Sequence, residues 1–330
     1  MTKCLKGVNL GGWLVLEKWI TPSVFRGSTA RNEYELSSTK QGRVRIKKHH
    51  DTFITESDLE WLKEQGVEIL RVPIGHWVFG EDKRYVGAID RLDWLVAASL
   101  SYGFKLLLDL HAAPSAQNNA AHSGSGNTNR TIYSTKWLND VSAQEKTIEV
   151  LEKVALRYYD SPSVWGIELL NEPVIDRFGL RLARFHRRAY KRLTKIARPG
   201  MCIIFSDAYA PLLTTNTFWL RTSKEFPAVI DCHIYQVFGR KNKKKTFNQH
   251  VERVRLIKYF LQFLGMQQPV IVGEWSAMLP HKVTSQETKE YTNRQIDAYA
   301  GALAQFYWNY KTEADGRWNY RHMIEKGLLQ

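Results

Sequence analysis

Cysteine is scarce in this chain: three in 330 residues, at Cys4, Cys202 and Cys232, far apart and without CxxC or Cys/His spacing. That excludes a disulfide-framed scaffold and a cysteine metal site, and it points to free, mostly buried thiols. No apolar run approaches the length needed to span a bilayer, so no membrane span is expected. Residues Met1 to Gly7 run at once into a strand-like segment, leaving no room for the apolar core of a secretory signal. With Met1 as the native start this predicts a cytoplasmic protein, an expectation that removal of a leader would cancel. No Pro/Ser-rich linker, heptad pattern or repeat divides the chain, which predicts one domain over 1–330. Acids are also in deficit, 33 against 47 Lys and Arg, for a net charge of +14.

The cations concentrate in Lys40 to Lys48, in Arg177 to Arg198, and in Arg240, Lys241, Lys243, Lys244 and Lys245. In the second stretch Phe178, Leu182, Phe185, Ala189, Leu193 and Ile196 make a helical stripe with cations on the other face, the pattern of a solvated outer helix. Attraction to an anionic surface or nucleic acid is the competing reading of such charge. No nucleic-acid motif accompanies it, and no nucleic-acid partner is expected.

What is present is a recurring unit: a short apolar run, a polar loop, then a helical pattern. The runs are Leu5–Leu10, Val67–Val72, Lys105–Leu110, Val164–Leu170, Cys202–Ser206, Val229–Tyr235, Pro269–Gly273 and Gln305–Trp308. Helix-like segments between them are clearest at Ser57–Gln65, Ile89–Ser101, Ala143–Tyr158, Phe178–Ala197, Asn248–Leu264 and Glu287–Leu303, with Ser57 and Glu60 reading as a capping box. Alternating βα units imply a parallel sheet with right-handed crossovers, and eight of them predict a closed (β/α)8 TIM barrel. An open doubly wound sheet is the competitor, but no Gly-x-Gly-x-x-Gly follows the first run and no P-loop occurs.

Polar residues recur where these runs end. Arg71 closes the second, His111 the third, Asn171 and Glu172 the fourth, His233 and Tyr235 the sixth, Glu274 the seventh and Trp308 the eighth. Singly, such an Arg is a salt-bridge partner, such a His a hydrogen-bonded spacer and such a Trp core. In a barrel, however, all parallel strands end at one rim, so these residues converge. Two acids there suit glycosidic cleavage, one protonating the departing oxygen and the other attacking the anomeric carbon or activating water. Arg71 and Tyr235 would keep Glu274 ionised as nucleophile, while Glu172, with fewer cationic neighbours, would hold a proton as the acid. Asn171 can hold a sugar 2-hydroxyl, Trp308 offers a face to a pyranose ring, and Glu168 falls deeper in the barrel as a structural partner. No cofactor is called for, and the sequence carries no cluster of ligands at metal spacing.

The blocks Arg71-Val72-Pro73-Ile74, Leu108-Asp109-Leu110-His111, Leu170-Asn171-Glu172-Pro173, His233-Ile234-Tyr235 and Gly273-Glu274-Trp275 resemble the signatures of family 5 glycoside hydrolases. Within that family, Gly7 to Glu17, Thr21-Pro22-Ser23, Gly166 to Leu170, Tyr235-Gln236-Val237-Phe238 and Trp308 to Glu313 are similar to the exo-β-1,3-glucanase group known from fungi. The resemblance covers about Gly7 to Gln330. It implies Glu172 as acid/base, Glu274 as nucleophile, and Arg71, His111, Asn171, His233, Tyr235 and Trp308 around the sugar being cleaved. It also implies that Glu17 binds the non-reducing glucose and that Phe238 stands at the pocket entrance.

After His111 the chain departs from that group. Ala120 stands where the group has an aromatic facing Phe238, and His122 where it has a sugar-contacting asparagine. The resemblance implies a β-glucan or gluco-oligosaccharide substrate, cleaved from its end at 1,3 linkages. Within the same chemistry the alternatives are an endo-β-1,4-glucanase or a β-glucosidase acting on aryl, lipid or disaccharide glucosides. A non-catalytic barrel binding a glycan or polyanion is the reading from another class.

Overall fold

The computed structural model describes residues 3–124, 136–215 and 223–329. Its eight strands are β1 (Leu5–Asn9), β2 (Ile69–Gly75), β3 (Lys105–Ala112), β4 (Val164–Glu168), β5 (Cys202–Ser206), β6 (Ala228–Ile234), β7 (Val270–Trp275) and β8 (Ala304–Tyr307). They pair in parallel and in sequence order, and β8 pairs with β1 to close the barrel. The helices are α1 (Glu33–Ser37), α2 (Lys40–Thr52) and α3 (Glu56–Glu64) after β1, α4 (Ile89–Tyr102) after β2, and α5 (Lys136–Asn139) and α6 (Val141–Arg157) after β3. Then follow α7 (Leu180–Leu193), α8 (Pro211–Thr215), α9 (Arg240–Lys243), α10 (Phe247–Gly265), α11 (Ser285–Tyr299) and α12 (Tyr320–Glu325). No helix among the described residues is long and apolar enough to cross a membrane.

Strand alternation explains the interior. Ile69, Leu107, Ile204, Val229, Ile271 and Phe306 form one apolar plug. Two residues further along each strand the inward side chain changes character, to Arg71, Asp109, Ser206, Asp231, Gly273 and Trp308, with Asn9 and Glu168 at the same level of β1 and β4. An apolar floor therefore carries a polar layer, and the site lies above that. The larger cluster, which includes Val8, Leu70, Leu108, Ile203 and Ile230, fills the space between the outward strand faces and the helices.

Several local expectations are corrected. The capping box of α3 is made by Thr55 and Asp58 rather than Ser57 and Glu60, because the helix begins at Glu56 and places the cap two residues earlier. Phe178 is not on the stripe of α7: Gly179, in the left-handed conformation, starts that helix, and Phe178 lies exposed beside the Arg177 guanidinium. The rest of the stripe is buried at Leu182, Phe185, Ala189 and Leu193, while Arg188 and Arg192 pair with Glu145 and Glu152 of α6. The Lys40 to Lys48 run is an amphipathic helix, α2, burying Ile46. All three cysteines are free.

Near the rim, two strands carry an extra residue. Between Ile74 and Gly75 of β2 the partners step from Leu110 to Ala112, so β3 bulges at His111. Between Asp231 and His233 of β6 the partners step from Ile271 to Glu274, and β8 shows a matching irregularity beside β7. Such bulges re-aim a side chain, and here each falls at a candidate site residue. The β7 bulge depends on Gly273, whose N–H donates to Asp231 Oδ1 at 2.6 Å and whose carbonyl accepts from Asn9 Nδ2 at 2.8 Å. A Cβ on Gly273 would fall 1.9 Å from Asp231 Oδ2. Gly273→Ala is therefore expected to lower the unfolding free energy by about 3 kcal/mol or more, since neither backbone nor carboxylate can yield in a packed interior. Urea unfolding of the variant checks this, and a loss below about 1 kcal/mol would contradict the cradle.

Candidate active site

The polar layer centres on Arg71, which is fully buried with every donor engaged. Its Nε donates to Glu168 Oε2 at 2.8 Å, and its Nη1 to Asn9 Oδ1 at 2.9 Å and Glu274 Oε1 at 3.1 Å. Its Nη2 donates to Asn171 Oδ1 at 2.9 Å and sits 3.1 Å from Asp109 Oδ2. Asp231 Oδ2 lies 3.7 Å from Nε. One cation thus faces four carboxyls. Burial and mutual repulsion push the Asp109 carboxyl up to about 7 and Glu168 well above the usual range, while the carboxyls together raise Arg71 despite its own desolvation. Arg71 is not on the pocket surface, contrary to its expected place around the sugar. It is the third residue of β2 rather than its last, one layer below the rim.

Above it stand the two glutamates. Glu274 is the second-last residue of β7, with Tyr235 donating to its Oε2 at 2.8 Å. Glu172 lies four residues past β4 with φ +42, a conformation that non-glycine residues seldom hold. The loop after β3 secures it: Gln117 Nε2 donates to the Asn171 carbonyl at 2.9 Å, and Asn118 Nδ2 to the Glu172 carbonyl at 3.0 Å. A carboxyl oxygen of each glutamate and a ring nitrogen of His233 lie within 4.8 Å of one another. His233 Nδ1 is 2.7 Å from Glu172 Oε1 and 3.4 Å from Glu274 Oε2, and the Tyr209 hydroxyl also donates to Glu172 Oε1.

Burial and the neighbouring donors act differently on the two carboxyls. Burial pushes the Glu274 carboxyl up to about 8. Burial works the same way on Glu172, but the hydrogen bond and charge of His233, with His122 and Tyr209 behind them, hold that carboxyl below the usual range. His233 itself would be lowered by burial, yet Glu274 and Asp231 raise it well above the ordinary imidazole value. Arg71 is divided among four carboxyls, while Tyr209 donates to Glu172 and His233 lies nearer to Glu172 than to Glu274. At neutral pH the pair holds one proton between its two members.

Around the pair are two cavities. One of about 490 Å³ is lined by Glu17, Trp19, His111, Asn171, Glu274, Trp308 and Trp318. The other, of about 770 Å³, runs from Glu172 and His233 towards α10. Ala120, His122, Glu172, Tyr209, Tyr235 and Phe238 line both. In the first cavity His111, kept neutral by burial and by Arg71, has Nδ1 2.6 Å from Asp109 Oδ2 and its ring stacked 5.6 Å from Trp308. Its Nε2 and Asn171 Nδ2 are buried with no hydrogen-bond partner among the described residues. Buried polar atoms left over in this way are what a polyhydroxyl ligand satisfies. Glu17 accepts from Trp19 Nε1 at 2.9 Å, and burial pushes its carboxyl up to about 8. His122 Nε2 lies 2.8 Å from Asn118 Nδ2, and burial lowers its ring to about 4.

The structure therefore brings Glu17, His111, His122, Asn171, Glu172, His233, Tyr235, Phe238, Glu274 and Trp308 to one end of the barrel. Tyr209, Trp19 and Trp318 belong with them and escaped sequence reading. Tyr209 sits in a loop with positive φ after β5, and Trp318, stacked against Phe238 at 6.2 Å, follows β8 outside any regular element. Neither position carries a periodic signal.

A closed parallel barrel bearing two facing carboxyls and unpaired polar groups in a pocket is the architecture of sugar-cleaving enzymes. The sequence model described as Cellulase (glycosyl hydrolase family 5) matches residues 32–314, and the chain belongs to that family. It is a glycoside hydrolase. It is 29 % identical to a probable glucan 1,3-beta-glucosidase A of Aspergillus fumigatus over 98 % of this chain and 87 % of that one. It is likewise 29 % identical to a glucan 1,3-beta-glucosidase of Kluyveromyces lactis, over 98 % and 88 %. Among solved structures, rutinosidase from Aspergillus niger superposes with a TM-score of 0.83 over 100 % of this chain and 98 % of its own, at 19 % identity, and so shares the fold.

Tyr209 donates to Glu172, a contact that favours the ionised carboxyl. Tyr209→Phe removes that donor, so Glu172 should keep its proton to higher pH. The alkaline limb of kcat/KM is expected to move upward by roughly half a unit to one unit, and a downward shift in the pH profile would contradict the contact.

Proposed function

We propose that this chain is a retaining β-glycosidase that releases glucose from the ends of β-1,3-glucan or its oligosaccharides, with Glu274 as nucleophile and Glu172 as acid/base. The observation that carries this reading is the closeness of the two carboxyls, within 4.8 Å. That suits the roughly 5 Å of double-displacement enzymes and not the roughly 6.5 to 9.5 Å that leaves room for an attacking water. Glu274 attacks the anomeric carbon while Glu172 gives its proton to the departing oxygen; the glycosidic bond breaks and a glucosyl ester forms. Glu172 then takes a proton from water, whose oxygen attacks the same carbon and frees Glu274, so configuration is retained.

Asn171 Nδ2 suits the sugar 2-hydroxyl, and His111 Nε2 accepts from a neighbouring hydroxyl. Glu17, protonated up to about pH 8, can both donate to and accept from the hydroxyls of a chain end. Glu17, Trp19 and Trp318 line the cavity that holds Glu274 and not the second one, and such bulky side chains on the glucose side suit a chain end. The names of the curated relatives support the 1,3 linkage.

Glu274→Ala is expected to lose turnover on every substrate. Glu172→Ala should keep part of its rate on activated aryl glucosides and recover with azide. Proton NMR of the first product should show the β anomer. Azide rescue of Glu274→Ala instead, with inverted product, would exchange the two roles.

A further inference from the structure

Glu172 lines both cavities, whereas Glu274 lines only the smaller one. Given the acid/base role proposed for Glu172, the group attached to the oxygen that it protonates enters the larger cavity. The walls of that cavity are aliphatic and aromatic: Val174, Ile175, Ile234, Ile257, Phe260 and Leu261. Several of the polar side chains at its edge already have partners. Asn118 bonds the Glu172 carbonyl and His122, Asp207 Oδ1 accepts from the Tyr209 N–H at 2.9 Å, and Arg253 Nη1 lies 3.3 Å from Asn242 Oδ1. The apolar walls offer more contact to a hydrocarbon leaving group than to the hydroxyls of a glucose unit.

One feature of the chain widens this space: Ala120, on the shared wall, leaves open what an aromatic would narrow. The apolar surface continues outward, because a depression of about 550 Å³ holding Leu256 shares Arg253, Ile257 and Phe260 with the cavity. At the mouth Phe238 and Tyr209 are 62 % and 59 % exposed, and Leu256 is 56 % exposed. Concave apolar surface joined to a reacting centre is how sites accept hydrophobic groups.

We infer that this enzyme also hydrolyses β-glucosides of large apolar alcohols, with a long alkyl or polycyclic aglycone seated in the cavity lined by Ile175, Ile234, Ile257 and Phe260. The glycosidic C–O bond breaks, the Glu172 proton passes to the alcohol oxygen, the apolar alcohol leaves, and water completes glucose as before.

The test compares kcat/KM of the full chain on β-glucosyl fluoride, on butyl, hexyl and octyl β-glucosides below their micelle concentrations, and on laminaribiose. Each added methylene should raise kcat/KM about three-fold until the cavity is filled, taking octyl at least about ten-fold above butyl, with the gain mainly in KM. Ile257→Asn should flatten that dependence, and Ile257→Leu should keep it. The fluoride has no aglycone and reports the glucose side alone. Hydrolysis of the fluoride with a flat alkyl series, or an alkyl series unchanged in Ile257→Asn, overturns this inference and leaves the glucosidase reading standing. No release from the fluoride would overturn both.

Discussion

A single buried guanidinium orders the upper half of this barrel. Arg71 rises from β2 and reaches side chains of β1, β3, β4 and β7, together with the segment carrying Glu172. Four carboxyls cannot all stay ionised around one cation in a desolvated layer, so protons must be held there, and Asp109, Glu168 and Glu274 are raised to hold them. Such a cluster is poor evidence for stability, since desolvating charges consumes most of what their attraction returns. Its effect is geometric. Arg71 fixes the heights of Asn171 and Glu274 relative to one another, and removing it would leave several buried acids without a counter-charge.

Local strain accumulates where this frame meets the pocket. Among non-glycine residues, Ser115, Ala116, Asn119, Glu172, Ala208 and Tyr209 hold positive φ, and all lie in loops at the carboxyl ends of β3, β4 and β5. Residues in such conformations persist only when their surroundings over-determine them, and they concentrate at functional sites. Gln117 does this for Glu172: fully buried, it donates to the carbonyls of His111 and Asn171 and accepts from the Ala113 N–H. The β3 and β7 bulges add to the same end by turning His111 and Glu274 out of simple alternation. A regular barrel would place these side chains at heights set by strand rise alone.

The barrel was legible because apolar runs and helical periods alternate eight times, and that signal survives errors of two residues at each boundary. The site residues were legible for a different reason: they fall where the runs stop. Height within the barrel was not. Alternation tells which way Arg71 points but not how far below the rim it lies, because β2 continues through Pro73 to Gly75 without a break in burial. Loop residues were the other loss. Tyr209, Trp19 and Trp318 are placed by the folding of connections around them, and no period or motif in the sequence predicts that. The sharing of a proton between Glu172 and Glu274 was not legible for the same reason, since it turns on Tyr209 and on the division of the Arg71 charge.

That distribution bears on how the reaction begins. Double displacement needs the shared proton on Glu172, whereas in this structure the hydrogen bonds of His233 and Tyr209 draw it towards Glu274. The donors on the two sides differ in what a substrate does to them. Arg71 approaches Glu274 from the layer below, and Tyr235 from a wall that faces both cavities. Tyr209 is largely exposed on the wall between the two cavities, where the leaving group must pass. A leaving group that turns Tyr209 aside removes a donor from Glu172 and excludes water from it, and both changes raise that carboxyl. In the double displacement proposed above, displacement of the exposed Tyr209 by a leaving group would move the proton towards the oxygen that needs it, while the buried Arg71 would stay on Glu274.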